Sequence, residues 1–213
     1  MGPRPVIHSR MQLRNRYLTH TLHVAQEATM QARSGQMTTT ALQGVLKRGD
    51  LAGVWALDPH KSSIRLKSAS VFGLVPVNGA FQEVSATGTV SSDGAISGTL
   101  RVAAASLDTK NTRRDTHLRS ADFFDSANNP EITFTADRVH LSGRTAAVTG
   151  ALTVRDRTRP LSFNAAAAVH GAGEIWLDAE VRINRADFGL TWNLVGMASM
   201  KNILTIHAVF TRP

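Results

Sequence analysis

The sequence predicts an all-β protein, a sandwich or a barrel, with one short helix. Three observations carry this. After Trp55 the chain runs as short alternating apolar and polar segments separated by turn residues, the pattern of both architectures. One polar stretch, Asn111 to Asp125 (NTRRDTHLRSADFFD), breaks that pattern, with no period-2 alternation and few β-branched residues. Many inward candidates are small (Ala103, Ala105, Ala147, Ala151 and Ala165 to Ala168), which leaves room inside a barrel. On pattern alone a sandwich with a solid core ranks equally.

Trp55 to Leu66 opens the domain, with a turn at Asp58-Pro59, where proline presets φ. Ser62 to Lys67 alternates as a half-buried strand. Val71 to Val77 contains Gly73 and Pro76 and reads as a loop or irregular edge. Asn78-Gly79 marks a turn or bulge. Phe81–Val90 and Ala95–Leu107 are two strands joined at Ser92-Asp93-Gly94. Ile132, Phe134 and Ala136 share one face of the next strand, and Ser142-Gly143 turns it into Ala146–Val154. Asp156 to Pro160 is a loop, and Leu161, Phe163, Ala165 and Ala167 resume the alternation. In Glu174–Ile183, residues Ile175, Leu177, Ala179, Val181 and Ile183 face one way. Ile203–Phe210 closes the domain, with apolar residues on both faces: Ile203 and Val209 on one, Leu204, Ile206 and Phe210 on the other.

The polar stretch predicts a helix near 111–124. Thr109 or Asn111 can cap its start. Leu118, Ala121 and Phe123 or Phe124 form its apolar side. Asp115 and Arg119 are spaced i, i+4 for a surface pair. Arg114 and His117 are spaced i, i+3 and can present donors to an anion, and the arginine fork suits phosphate oxygens. The blander role for these charges is to anchor the helix to the loops at Asp156–Arg159 and Asn184–Asp187. Arg185 and Asp187 read as a turn-stabilising pair.

Arg113 to Asp125, RRDTHLRSADFFD, resembles the RDxHLRSxDFFD signature of the YceI-like lipid-binding family. Three further pieces follow that family's order: Trp55-Ala56-Leu57-Asp58-Pro59, Thr158-Arg159-Pro160-Leu161, and Ile183 to Leu190 (INRADFGL). The resemblance implies an extended, lipocalin-like antiparallel β-barrel of about eight strands that holds a long isoprenoid or similar lipid. Three places depart from the family pattern. Asp58-Pro59-His60-Lys61-Ser62 carries its His one position early, and Ala69-Ser70 stands where a basic–His pair is usual. The loop after Trp192 also lacks the usual Gly-Asp-Glu run.

Length and charge narrow the classes. The 213 residues suffice for one domain, expected over 51–213, preceded by a poorly ordered basic extension over 1–50. Residues 1–50 hold seven Lys+Arg against Glu27 and Asp50, so +5 of the net +8 sits there. Met37 is an alternative start. The basic excess follows no DNA-binding pattern, so no nucleic-acid partner is expected. Cysteine is absent, which removes disulfide and thiolate chemistry. There is no signal-peptide core and no apolar run long enough to span a membrane as a helix, so a cytoplasmic location is expected.

The eight His residues form no spaced ligand motif, and no metal or cofactor is expected. Asp115, His117 and Ser120 are the residue types of a nucleophilic triad, but Asp115 and His117 are i, i+2 and point apart on a helix. Phe188 to Trp192 and the Leu194, Val195, Met197 and Met200 segment are apolar and suit either a pocket wall or a plug.

The expected function is non-enzymatic: binding of a long-chain isoprenoid-like or fatty lipid for transport, storage or protection. The apolar lining candidates are Leu66, Phe72, Leu74, Phe81, Phe134, Leu152, Phe163, Leu177, Val181, Trp192 and Phe210. Arg114 and His117 are the headgroup candidates. Two alternatives stand beside this. One is a lipid hydrolase or isomerase using Asp115 and His117. The other is a partner-binding barrel with a solid core. A homodimer is a further expectation, from the outward apolar residues of the last strand.

Overall fold

A computed structural model describes residues 44, 46, 48–71, 73–170, 173–193 and 198–213. The extension expected over 1–50 therefore lies almost wholly outside the described residues, as do Phe72, Leu194, Val195 and Met197.

Eleven strands form one continuous sheet that curls on itself. In chain order they are β1 (Gly53–Leu57), β2 (Ser63–Ser70), β3 (Val75–Phe81), β4 (Val84–Val90), β5 (Ile96–Ala103), β6 (Leu107–Asp108), β7 (Glu131–Ser142), β8 (Thr145–Val154), β9 (Arg157–His170), β10 (Glu174–Asn184) and β11 (Lys201–Thr211). Helix α1 spans Thr112–Arg119, and two 3₁₀ turns sit at Ala104–Ser106 and Arg185–Phe188. Eight strands close an antiparallel barrel in the order β1-β4-β5-β7-β8-β9-β10-β11, sealed where Ala56 and Leu57 pair with Thr211 and Phe210. β2, β3 and β6 continue from β11 as a flap.

One edge of β11 therefore serves two strands. Its last residues pair with β1, and Ile203 to His207 pair with β2. The turn between β1 and β2 is stitched to β11 at Val209. The Asp58 amide donates to the Val209 carbonyl at 2.8 Å, and the Val209 amide donates to Ser62 Oγ at 3.0 Å. Both polar groups of a buried residue are thereby satisfied. Val209 is 1% exposed, so one of the outward apolar residues of the last strand is covered by its own chain, while Ile203 on the same face is half-buried.

In the strands, sequence and structure differ at several places. Asn78-Gly79 is not a turn. Both residues lie within β3, and Gly79 is required because a Cβ there would come within 2.9 Å of the Leu107 side chain. Pro76 is also in β3, on a stretch paired only with β2, so its missing N–H leaves no ladder bond unmade. Residues 157–160 belong to β9 rather than a loop, because β8 turns at Arg155, which adopts φ 55°, and Asp156. Pro160 pairs with Ala151 on one side, while β10 joins β9 only from Ala165 onward. Finally, of the small inward candidates only Ala165 and Ala167 line the interior; Ala105, Ala147 and Ala166 are exposed, and Ala151 shares the Ala147 face of β8, with Ala146, Val148, Gly150, Leu152 and Val154 buried instead.

The end of the barrel near Gly53 is closed. Leu51, Trp55, Val90, Ala146 and Val148 pack there, with Leu46 against them. The Trp55 indole N–H donates to the Leu51 carbonyl at 2.9 Å, which lets a polar atom sit in this core. The opposite end carries α1, the β2–β3 flap and the segment after β10.

Candidate functional site

The barrel encloses a cavity of about 490 Å³, within the range of small-molecule sites. Its walls follow from strand alternation. Ile175, Leu177, Ala179, Val181 and Ile183 of β10 all line it, as the one-sided pattern predicts. So do Leu204, Ile206, Ala208 and Phe210 of β11 and Leu161, Phe163, Ala165 and Ala167 of β9. Ala86, Gly88 and Gly98 on β4 and β5 supply little volume, and the interior stays open there.

Of the expected lining residues, Leu66, Phe81, Phe134, Leu152, Phe163, Leu177, Val181, Trp192 and Phe210 face this cavity. Leu74 does not. It lies in the turn between β2 and β3, is 80% exposed and is absent from the lining. Phe72 is outside the described residues. Arg114 and His117 reach the cavity at its α1 end, together with Leu118. These three occupy one face of α1 at i, i+3 and i+4.

The helix is shorter than its sequence suggests. Asn111 caps it, its side-chain oxygen accepting from the Arg114 amide at 3.0 Å. Ser120 stops it, taking an extended conformation and turning its hydroxyl onto the His117 carbonyl at 2.8 Å. Ala121 is thus outside the helix and exposed, while Phe123 and Phe124 return inward through a following turn.

Asp115 does not pair with Arg119. It is 6% exposed, and it accepts from the Thr109 amide at 3.1 Å and from the Thr109 hydroxyl at 2.5 Å. Arg114 approaches the same residue, donating from Nε to the Thr109 hydroxyl oxygen at 2.7 Å and from Nη2 to its carbonyl at 2.9 Å. Arg119 instead donates to the Ala105 carbonyl at 2.7 Å. All three charged side chains help join α1 to residues 105–109 before it.

Arg185 likewise does not pair with Asp187. It is 6% exposed and donates to the carbonyls of Ser199, at 2.9 Å, and of Leu190. Burial holds its pKa below the usual guanidinium value, and it remains a cation. Its guanidinium also lies over the Phe123 ring, 5.3 Å from the centroid. Asp187 accepts from the Asn184 side chain. Arg159 reaches the Asp187 carbonyl, joining β9 to the second 3₁₀ turn, and Arg155 reaches the Phe123 carbonyl just after the helix, whereas Arg114, Asp115 and Arg119 bond to residues 105–109 and not to 156–159 or 184–187.

His117 is held by three neighbours. Its Nε2 is 3.0 Å from Asp122 Oδ2, and its ring meets Phe123 and Trp192 edge-on at 5.2 and 4.3 Å between centroids. With Asp115 bound to Thr109 and Ser120 turned onto a backbone carbonyl, the three triad residue types do not meet. Among the described residues no cluster of three or more His, Asp or Glu is placed to hold a metal, and no helix is long and apolar enough to cross a membrane.

Polar groups gather at this end. Ser68, Ser70, Thr109, Ser199 and Asn202 line the cavity near Arg114 and His117. None was named from the sequence as a lining residue. Ser68 and Asn202 were within reach, since they continue the faces of Leu66 and Leu204, but Thr109 and Ser199 depend on contacts between distant segments.

Comparison with known proteins agrees with this architecture. The family model of the YceI-like domain matches residues 55–211. Protein YceI of Escherichia coli O6:H1 is 37% identical over 107 residues, covering 47% of this chain and 55% of that protein. Protein YceI of Salmonella arizonae is 36% identical over the same length and coverage. The chain thus spans about half the length of the curated relatives it matches. Among solved structures, BcnA of Burkholderia cenocepacia has a TM-score of 0.65 at 23% identity, covering 72% of this chain and 98% of that one. A polyisoprenoid binding domain from Saccharophagus degradans, implicated in plant cell wall breakdown, has a TM-score of 0.62 at 16% identity, covering 75% and 98%. At these identities the structural likeness speaks for the fold alone.

Proposed function

We propose, since the chain belongs to the YceI-like domain family, that its barrel binds a long-chain apolar lipid of polyisoprenoid-like character without covalent chemistry. The observation that carries this reading is the cavity itself: about 490 Å³, walled largely by aliphatic and aromatic side chains, with Arg114, His117 and Arg185 among its lining at the α1 end. An amphiphile with an apolar chain and a polar head matches that division.

The energetics favour length. Each methylene moved from water into such a wall contributes about 0.8 kcal/mol. About ten contribute on the order of 8 kcal/mol, which already passes the lower part of the ~4–15 kcal/mol that association costs. Longer chains clear the rest without any specific polar contact. Arg114 and His117 are the proposed headgroup contacts, with Ser68, Ser70 and Asn202 beside them. Transport, storage or protection of the lipid are the roles this permits.

The hydrolase alternative lacks an assembled nucleophile, and the solid-core alternative lacks a solid core. A homodimer loses the support expected from Val209, and sedimentation velocity decides it. The cytoplasmic location belongs to this proposal and is checked by cell fractionation.

The deciding experiment is native mass spectrometry of protein purified from its own host, followed by organic extraction. A stoichiometric long-chain lipid supports the reading and names the ligand. A protein that is empty and refuses added prenyl lipids overturns it.

A further inference from the structure

We infer that the tip of the β2–β3 flap, with Trp192, is a docking surface for an anionic lipid bilayer at the cavity mouth. Several large apolar side chains stand in water at this end. Leu74 is 80% exposed, Val75 46%, Val71 41% and Trp192 38%. They make up four of the five large hydrophobic side chains that stand exposed among the described residues, the fifth being Val54. Val71 also holds φ 51°, a left-handed conformation that costs a β-branched residue energy. A scattered exposed leucine needs no explanation, but a cluster around one opening does.

The four residues share one rim. Ser70 forms a bridge with Ala198, and the Ser199 amide donates to the Ala69 carbonyl at 2.9 Å. The Ala198 amide donates to the Asn193 side chain at 2.8 Å, next to Trp192. Ser70, Ala198 and Trp192 all line the cavity. The apolar tip is therefore continuous with the mouth.

Charge selects the occupant. Lys67 and Arg182 both stand opposite Ile203 in the register, and Lys201 lies two residues along β11, so the three cations share the outer face of the sheet. All three are exposed, and among the described residues only Arg182 pairs with an acid, Glu180 at 3.6 Å. An apolar edge backed by an outward basic face complements anionic headgroups over acyl chains.

The test is flotation of the full, lipid-stripped chain with phosphatidylglycerol-containing vesicles and with pure phosphatidylcholine vesicles. The wild type is expected to float with the anionic vesicles and to release them at high salt. Leu74→Asp should weaken binding about tenfold or more. Lys67→Gln and Lys201→Gln should each weaken it about fivefold. Leu74 is exposed, so thermal melting of L74D should match wild type, which separates lost docking from lost folding. No binding by the wild type, or equal binding by L74D, overturns the inference. A concentration-dependent dimer that L74D abolishes, without vesicle binding, overturns it in favour of a contact between copies. Stripped protein is used so that docking and cavity loading fail separately: a chain that docks yet refuses prenyl lipid loses the proposed cargo and keeps this surface.

Discussion

Trp192 meets the imidazole of His117 edge-on, 4.3 Å between centroids, and the pair stands where the cavity reaches the surface. Phe123 packs against both rings, at 5.2 and 5.6 Å. The three rings form a partial cover whose outer member is 38% exposed. An edge-to-face pair contributes about 0.5–1.5 kcal/mol beyond its buried area. Trp192→Ala should therefore speed release of a bound fluorescent fatty or prenyl probe about tenfold and leave the melting temperature nearly unchanged. Stopped-flow displacement measures this, and an unchanged release rate would refute the cover.

A second prediction concerns the cavity volume. Ala179 lies on the inward face of β10, among cavity-lining neighbours. Ala179→Phe should fill part of that space. In a packed core such a change costs about 1–3 kcal/mol of strain. Here the cost should fall below that range while lipid capacity drops, read by urea denaturation and by probe titration on one sample. Full destabilisation would show that the interior is packed after all.

Asp115 offers a stability test. Its carboxylate takes both Thr109 donors out of contact with water. Asp115→Ala leaves a buried amide and hydroxyl short of an acceptor, at about 1–3 kcal/mol each by desolvation. The transition in urea should shift to match a loss of about 2–4 kcal/mol, and Asp115→Asn should recover part of it.

Gly150 is the sharpest case of a constrained position. A Cβ there would lie 2.0 Å from the Thr135 carbonyl oxygen, beside the register shift in β7 between Ala136 and Arg138. Gly150→Ala should cost more than about 4 kcal/mol or prevent folding. Gly88→Ala, whose Cβ would rest 3.5 Å from the Ser97 carbonyl, should fold and serves as its control.

The fifth prediction is a pH dependence. Lys61, in the turn after β1, pairs with Glu174 at the start of β10, and the Trp176 indole N–H donates to the same carboxylate. The Lys61 hydrogen bond, then that of Trp176, holds the Glu174 pKa below its ordinary value. The Glu174 hydrogen bond and charge raise that of Lys61. A lowered carboxylate pKa stabilises the fold above the unfolded pKa, and the effect is lost as pH falls through the folded value. A raised amine pKa stabilises below the unfolded pKa, and is lost as pH rises through the folded one. The difference in melting temperature between wild type and Glu174→Gln should thus be flat through neutral pH and disappear in acid below about pH 4. It should be small throughout, because solvent screens the pair.

Much of this fold could be read locally. The alternation in β10 assigns all five inward residues, and Ser92-Asp93-Gly94 marks its hairpin, because strand face and turn type depend on neighbours two or three residues away. The misread positions depend on contacts that neither strand alternation nor helix spacing encodes. Gly79 looks like a turn residue until Leu107 is brought against it. Asp115 looks like a surface partner for Arg119 until Thr109 is folded over it. Arg185 looks like half of an exposed pair until Leu190 and Ser199 wrap its guanidinium. The candidate lining divides the same way. Strand residues such as Phe163 and Leu177 face the cavity as alternation requires, while Leu74, in a turn, has no face to inherit.

β11 joins β10, β1 and β2 at once. On the ribosome this sets an order of events. Until Lys201–Thr211 has been made, β1, β2 and β10 each present an unpaired edge and the cavity has no fourth side. A nascent chain in that state carries open strands and an unshielded greasy interior, the condition in which chains stick to one another. Its passage to safety rests on a single late segment, and its need for a chaperone should end when that segment docks.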